Sequence, residues 1–173
     1  MSAPDPFDQI NTLYHFTDTR NLPLIRQRKG LFPIAVLRAN GWTVPAPGGN
    51  DWSQDADSMF GMDKYIHLCF CNSHPMEYLA RQSGRIQTSI FLEIDPTVIR
   101  QDGVLFTNGV SNKSGMVPDS IEQARSWVDF QVICTRMDWK IPEIRERRTN
   151  AEKCEILVPK GIALQWIRNM PNG

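Results

Sequence analysis

Five consecutive residues, Cys154-Glu155-Ile156-Leu157-Val158, constrain the fold of this chain more than any others. In an extended chain Cys154, Ile156 and Val158 share one face and point to a core. Glu155 then turns to the opposite face, beside Leu157. A carboxylate in an apolar strand costs stability unless it lies at an exposed edge, is paired, or is kept for chemistry. The second face of this strand must therefore meet something other than plain core.

Two more segments set polar or ionisable side chains at a strand or strand end. They are Tyr14-His15-Phe16-Thr17 and the stretch from Tyr65 to Tyr78. Together with Glu155 they describe one cleft: a histidine from the first strand, aromatic hydroxyls from the second strand and its following helix, and a lone carboxylate from the third. Neither a Ser-His-Asp order nor a Cys-His pairing stands out, and the chain has no Gly-x-x-x-x-Gly-Lys phosphate loop. A carboxylate facing an aromatic-walled pocket suits a developing oxocarbenium-like cation with a flat leaving group stacked beside it.

The length of 173 residues fits one domain, and 19 basic against 19 acidic residues leave no net charge. Proteins that wrap duplex nucleic acid carry a basic excess, so nucleic-acid contact here is expected to be local. No apolar run approaches the ~20 residues of a membrane helix, and the first residues lack the pattern of a signal peptide. The four cysteines form no Cys-x-x-Cys pair. Cys69 and Cys71 fall on one strand face as buried thiols, which predicts a reduced, cytoplasmic protein without a structural metal.

Residues 1–11 read as a disordered lead, and 12–170 as a single domain. Strands are expected at 12–16, 64–71, 88–94, 103–106, around Glu155 and at 162–168. Helices are expected at 20–29, with Thr17 or Asp18 as cap, and at 75–82 behind Pro75. Two more follow, at 119–130 behind an Asp119/Glu122 capping box and from Pro142 onward. Residues 43–58, rich in proline and glycine, form a long loop with Trp42 and Trp52 at its ends, either functional or plain surface. The fold class is α+β, with mostly short strands in two small sheets.

Taken in order, Leu13-Tyr14-His15-Phe16-Thr17, Asn21-Leu22, Gly30-Leu31, the run Cys71 to Tyr78 and Glu155-Ile156-Leu157-Val158 resemble the DarT family. The likeness runs from about residue 12 to 160. It implies an ADP-ribosyltransferase-like fold in which two small, mostly antiparallel sheets form an NAD cleft. It also implies NAD as substrate, a nucleobase of single-stranded DNA or RNA as acceptor, and a toxin held by an antitoxin protein or serving phage defence. On this resemblance Glu155 is the catalytic glutamate, and His15, Phe16, Thr17, Leu24, Phe32 and Tyr78 hold NAD. His15 would meet the adenosine ribose and Tyr78 the nicotinamide. The family's base-activating arginine has no clear counterpart; Arg38 is the nearest candidate.

The patch Arg145, Arg147, Arg148 and Lys153 reads as a solvated helix face, or as a contact for substrate phosphates because it leads into Glu155. His67 reads as structural, His74 as a loop residue inside the matched segment, and Trp127 and Trp139 as core aromatics. Two competing functions stand beside base modification: a protein-modifying transferase on the same fold, and a catalytically silent NAD-binding module.

Overall fold

The computed structural model describes residues 3–49 and 58–172. Among these described residues seven strands run in chain order: β1 Leu13–Asp18, β2 Gly30–Leu31, β3 Ile66–Cys69, β4 Ser89–Ile94, β5 Leu105–Thr107, β6 Glu155–Val158 and β7 Ile162–Ala163. They form a five-stranded sheet in the order β4-β1-β3-β6-β5 and a two-stranded sheet of β2 and β7. Every pairing is antiparallel. The architecture is the α+β pair of small sheets expected from the sequence.

β6 lies between β3 and β5, so its backbone is hydrogen-bonded on both sides and all four of its residues are buried. Cys154, Ile156 and Val158 enter the main core with Ile66, Leu68, Phe70, Leu92, Ile94 and Phe106. Glu155 and Leu157 stay off it, as the alternation requires. In β3, Ile66 and Leu68 likewise face the core while His67 and Cys69 share the Glu155 face, with Cys69 directly opposite Glu155 and His67 opposite Leu157. The strand ends at Cys69, so Cys71 turns into the core rather than continuing on the face of Cys69.

β1 and β4 pair over six residues, whereas β1 meets β3 only at Tyr14 and Cys69. Beyond that point β1 and β3 part, and the gap between them is the cleft. Buried Asp18 fixes the end of β1. It accepts from the Arg20 backbone and guanidinium (2.8–2.9 Å) and from the Gln87 amide just before β4 (2.7 Å). Of the two candidate caps, Asp18 takes the role, opening a 3-10 turn at Thr19–Asn21 before helix α1, Leu22–Gln27.

The small sheet depends on Gly30, whose φ is +154° and where a Cβ would lie 2.2 Å from the Ile162 carbonyl oxygen. Only glycine allows β2 to approach β7 so closely. After β2, helix α2 (Ile34–Ala39) starts directly behind Pro33; the sequence reading had none there. The helix behind Pro75, α3, spans Pro75–Gln82 as expected.

The expected helix at 119–130 divides into α4, Ile121–Ala124, and α5, Phe130–Cys134. Ser120 and Gln123, not Asp119 and Glu122, make the capping box, because Asp119 is paired with Phe106 and accepts from the Trp127 indole. Asp129 then caps a new helix by accepting the Val132 amide at 3.1 Å. Helix α6, Pro142–Glu152, leads into β6.

The lead differs most from expectation. Pro6–Gln9 forms a 3-10 turn, Phe7 is buried edge-on to Phe130 at 4.9 Å, and Asp5 pairs with Arg100 and Arg125. One buried aromatic and a shared carboxylate anchor residues 3–11 against the domain, where the sequence predicts a disordered lead. Among the described residues no helix is long and apolar enough to cross a membrane, and no group of His, Cys, Asp or Glu is placed to hold a metal.

Candidate active site

The cleft between β1 and β3 holds a cavity of about 250 Å³ with Glu155 in its wall. Glu155 Oε2 accepts the Ser111 amide at 2.9 Å and lies 3.4 Å from His67 Nδ1. Glu155 Oε1 lies 3.2 Å from His74 Nε2. Burial by itself would raise the carboxyl's pKa, but its interactions with the His67 and His74 rings outweigh burial and hold the pKa well below the usual range. The carboxylate is therefore ionised, nearly immobile and a weak base.

Backbone carbonyls only accept, and this fixes the ring protons around it. His15 Nδ1 lies 2.9 Å from the His67 carbonyl oxygen and so carries hydrogen. Burial lowers the His15 pKa, which keeps the ring neutral and leaves Nε2 as an acceptor. His67 Nε2 donates to the Met62 carbonyl at 2.9 Å, which leaves Nδ1 to Glu155 and to Ser111 Oγ at 3.1 Å. His74 caps α3: its Nδ1 accepts the Met76 amide at 3.2 Å, so in the neutral ring the proton is on Nε2, toward Glu155. That nitrogen is buried and makes no well-aligned hydrogen bond. Phe16 stacks on the His74 ring with centroids 5.6 Å apart and fixes its plane.

The first half of the long loop walls the cavity. Val44, Ala46, Pro47, Gly48 and Gly49 line it, and Ala46 is held at both backbone groups by the buried Asn21 amide (2.7 and 2.8 Å), which also donates to Thr17 Oγ1. Residues 50–57 of that loop, Trp52 included, lie outside the described residues. Trp42, at the loop's start, carries the Arg28 guanidinium over its ring at 3.8 Å.

Of the residues assigned from the sequence, Glu155, His15, Phe16, Thr17 and Phe32 line this cavity. Leu24 lines a smaller adjoining hollow together with His15, Thr17 and Phe32. Tyr78 does not line the cavity; its side chain is 54% exposed. Met76 is the α3 residue in the wall, and two residues further on, the helix has turned by roughly 200°. The wall's tyrosine is instead Tyr65, just before β3.

Arg38 is also outside the wall. Ile34 and Leu37 are the α2 residues that line the cavity, while Arg38 reaches Ser58 Oγ at 3.2 Å and Asp63 at 3.9 Å. Among the described lining residues there is no lysine or arginine.

The basic patch lies elsewhere too. Arg147 grips Asp129 with two bonds of 2.6 and 2.7 Å, and Arg148 pairs with Glu152. Arg145 and Lys153 are exposed. Arg147 and Lys153 line a separate hollow of about 310 Å³ with Trp127, Asn108 and Cys154. Trp139 is 41% exposed rather than core, with the Arg148 guanidinium 5.4 Å over its ring.

Sequence reasoning missed four parts of the site: His67 and His74 as carboxylate partners, Ser111 as an amide donor, and Asn21 as the loop's anchor. His67 was visible in principle, since it alternates with Cys69 onto the face that carries Glu155. His74 stands one residue before Pro75, at the cap of α3, where a ring nitrogen can accept an orphan amide. Ser111 lies 44 residues from Glu155 and gave no local signal.

Solved structures of Thermus sp. 2.9 DarT share the fold. Its complex with ADP-ribosylated ssDNA gives a TM-score of 0.66 at 18% identity, covering 96% of this chain and 81% of that one. Its NAD+ complex gives 0.59 at 18% identity, covering 96% and 82%. Thermosipho africanus DarTG in complex with ADP-ribose gives 0.63 at 16% identity, over 91% of this chain and 42% of that one. No curated protein sequence matches the chain. The family model for DarT, described as ssDNA thymidine ADP-ribosyltransferase, matches residues 14–170. Nearly the whole chain is included in that match, and the chain accordingly belongs to the DarT family of ADP-ribosyltransferases.

Proposed function

We propose that this protein transfers ADP-ribose from NAD to a base of single-stranded DNA, with Glu155 as the catalytic carboxylate. The observation that carries the reading is Glu155 itself: a buried, ionised carboxylate held on both oxygens in the wall of an otherwise mostly apolar cavity, in a member of this family. As the bond from C1′ of the ribose to nicotinamide breaks, positive charge develops on the sugar. A fixed anion whose partners are already arranged stabilises that charge without reorganising. His15 Nε2 and the Asn21–Thr17 pair offer acceptors and a donor for sugar hydroxyls, and Phe16, Phe32 and Tyr65 offer ring surface.

NAD is supported as the donor by the NAD+ complex of Thermus DarT, and ssDNA as the acceptor by the ADP-ribosylated ssDNA complex of the same protein and by the family description. Absence of net charge accords with a short stretch of single strand rather than a long duplex track. A toxin role under the control of an antitoxin is proposed from the likeness to Thermosipho DarTG, of which this chain spans 42%. The phosphates are proposed to run toward exposed Arg145 and Lys153, while Arg147 and Arg148 hold structure.

The test is transfer of labelled ADP-ribose from NAD to short single-stranded DNA, single-stranded RNA and a protein pool. Label on DNA alone that is lost in Glu155→Ala is the expected result. Label on RNA or protein moves the acceptor, and nicotinamide release without any labelled polymer rejects base transfer.

A further inference from the structure

Transfer to a base nitrogen or hydroxyl releases a proton, and the cavity must hold it. Glu155 is poorly suited to keep it, since Oε2 already accepts the Ser111 amide and Oε1 faces the His74 ring nitrogen. The group in contact with that oxygen is His67. Its Nε2 is committed as a donor to the Met62 carbonyl, so the proton it can gain or lose is the one on Nδ1, 3.4 Å from Glu155 Oε2 and 3.1 Å from Ser111 Oγ. With Nδ1 bare, the Ser111 hydroxyl donates to it. With Nδ1 protonated, the imidazolium donates to the carboxylate and the hydroxyl turns to accept. Both states are satisfied by side chains already in place, as a site for a transient proton requires.

We propose that His67 is the proton store of the transfer reaction and the positioning partner of Glu155. The proposal rests on the transferase reading above. The acceptor's N–H or O–H loses its proton to Glu155 Oε2 as the new bond to C1′ forms, and the proton passes on to His67 Nδ1. The C1′–nicotinamide bond breaks with its electron pair going to the nicotinamide ring, which leaves neutral. Glu155 ends ionised and His67 ends as imidazolium, to be neutralised by solvent through its partly exposed ring.

Other titratable groups face this pair. His15 on β1 is bonded to the His67 carbonyl, and His74 caps α3 on the other oxygen of Glu155. Cys69 lies two residues along on the same face, Tyr65 precedes the strand, and Asp63 is paired with Arg38. His74 cannot replace His67, because its Nδ1 is occupied by the Met76 amide and its neutral ring presents a hydrogen, not a lone pair, to Glu155. His15 contacts the backbone of His67 rather than the carboxylate.

Two measurements test this. The first is the pH dependence of kcat/KM for transfer to single-stranded DNA, in wild type and in His67→Gln. Gln keeps a donor for Met62 but takes no proton. Wild type is expected to lose activity on the acid side with unit slope. His67→Gln is expected to be slower by ~10²-fold and to lose that limb, with KM for NAD within about threefold of wild type. An unchanged acid limb in His67→Gln overturns the proposal, as does an unchanged rate.

The second measurement does not depend on activity or on a variant that folds: nitrogen NMR of the wild-type imidazoles. His67 should be protonated at Nε2 throughout and titrate at Nδ1. A ring carrying its hydrogen on Nδ1 when neutral overturns the assignment. If no polymer is labelled, the transferase reading and the proton store fall together, whereas a labelled polymer with the other tautomer overturns the proton store alone.

Discussion

The molecule has two hollows beside the same loop, and they spend their charged groups in opposite ways. Val110, Ser111 and Asn112 face the Glu155 cavity, while Asn108 and Gly109 face the hollow under α6. In the first, the carboxylate is buried and is met by a backbone amide and two imidazoles, groups that neutralise it only in part. In the second, Arg147 is met by the carboxylate of Asp129 with two short bonds and by Gln131, which cancels its charge where it stands. A charge with partial partners keeps a field for a ligand, whereas a charge matched to its opposite has become structure. Chemistry is expected at the partially met charge and not at the cancelled one.

The largest expected effect tests the first hollow. Glu155→Gln keeps size and one acceptor but removes the negative charge facing the developing cation. Transfer should fall by ~10²–10³-fold, with a lowered melting temperature, because the new NH2 must face a donor, either the Ser111 amide or the His74 Nε2–H. Turnover assays with labelled NAD and a melting curve check both halves. A variant that retained a tenth of the activity would mean that the field of Glu155 is not what the cavity is built around.

The next effect is on the wall. Asn21 holds Ala46 by its N–H and its carbonyl, and loses both bonds in Asn21→Leu. Each buried backbone group left unpaired costs about 1–3 kcal/mol, so the melting temperature should drop clearly. The KM for NAD should rise about tenfold while kcat changes less, since the loop shapes the pocket without touching the carboxylate. Denaturant titration and steady-state kinetics separate the two. A fall in kcat alone would place Asn21 in the chemistry instead.

These contrasts also explain what could be read from the sequence. Alternation in β6 and β3 is a local property, so the core face and the Glu155 face were legible, and so was α3 behind Pro75. The lining of the cavity was legible where residues lie on regular strands: His15, Phe16, Thr17 and Glu155. Legibility failed where rotation about a helix decides, as with Tyr78 against Met76, and where a side chain next to the wall turns outward, as Arg38 does beside Leu37. It failed too for partners brought together only by the tertiary fold, such as Ser111 with Glu155 or Asp5 with Arg100. The ordered lead belongs to that last group, since nothing near Phe7 in the chain announces Phe106 and Phe130 as its neighbours.

Protonation of His15 in the cleft adds a pH dependence to stability. Burial lowers the pKa of His15 from the ordinary 6.5, so the folded protein binds this proton less readily than the unfolded chain does. Stability is therefore whole above about 6.5 and declines as pH falls toward the lowered value. Glu155 has the same sign but an ordinary value of 4.5, so its loss starts only in stronger acid. Melting temperatures should slope downward from pH 7.5 to 5.5, and less steeply in His15→Gln. An equal slope in the variant would assign the titration to another group.

The smallest effect belongs to the second hollow and completes the contrast. Arg147→Ala removes a guanidinium that is partly exposed and already paired, and pairs of this kind contribute little to stability. Its effect on the melting temperature should be well below that of Asn21→Leu, and its effect on ssDNA affinity smaller than that of Lys153→Ala, whose ammonium is exposed. The salt dependence of ssDNA binding is the sharper readout. Each phosphate contact removed lowers the slope of log affinity against log salt by about 0.7 for a single strand. Lys153→Ala should lower it by about that much, and Arg147→Ala should leave it unchanged, because a cation bound to Asp129 releases no counterion from DNA. The reverse ranking would mean that the Asp129 pair opens on binding, and that the α6 hollow belongs to the acceptor strand.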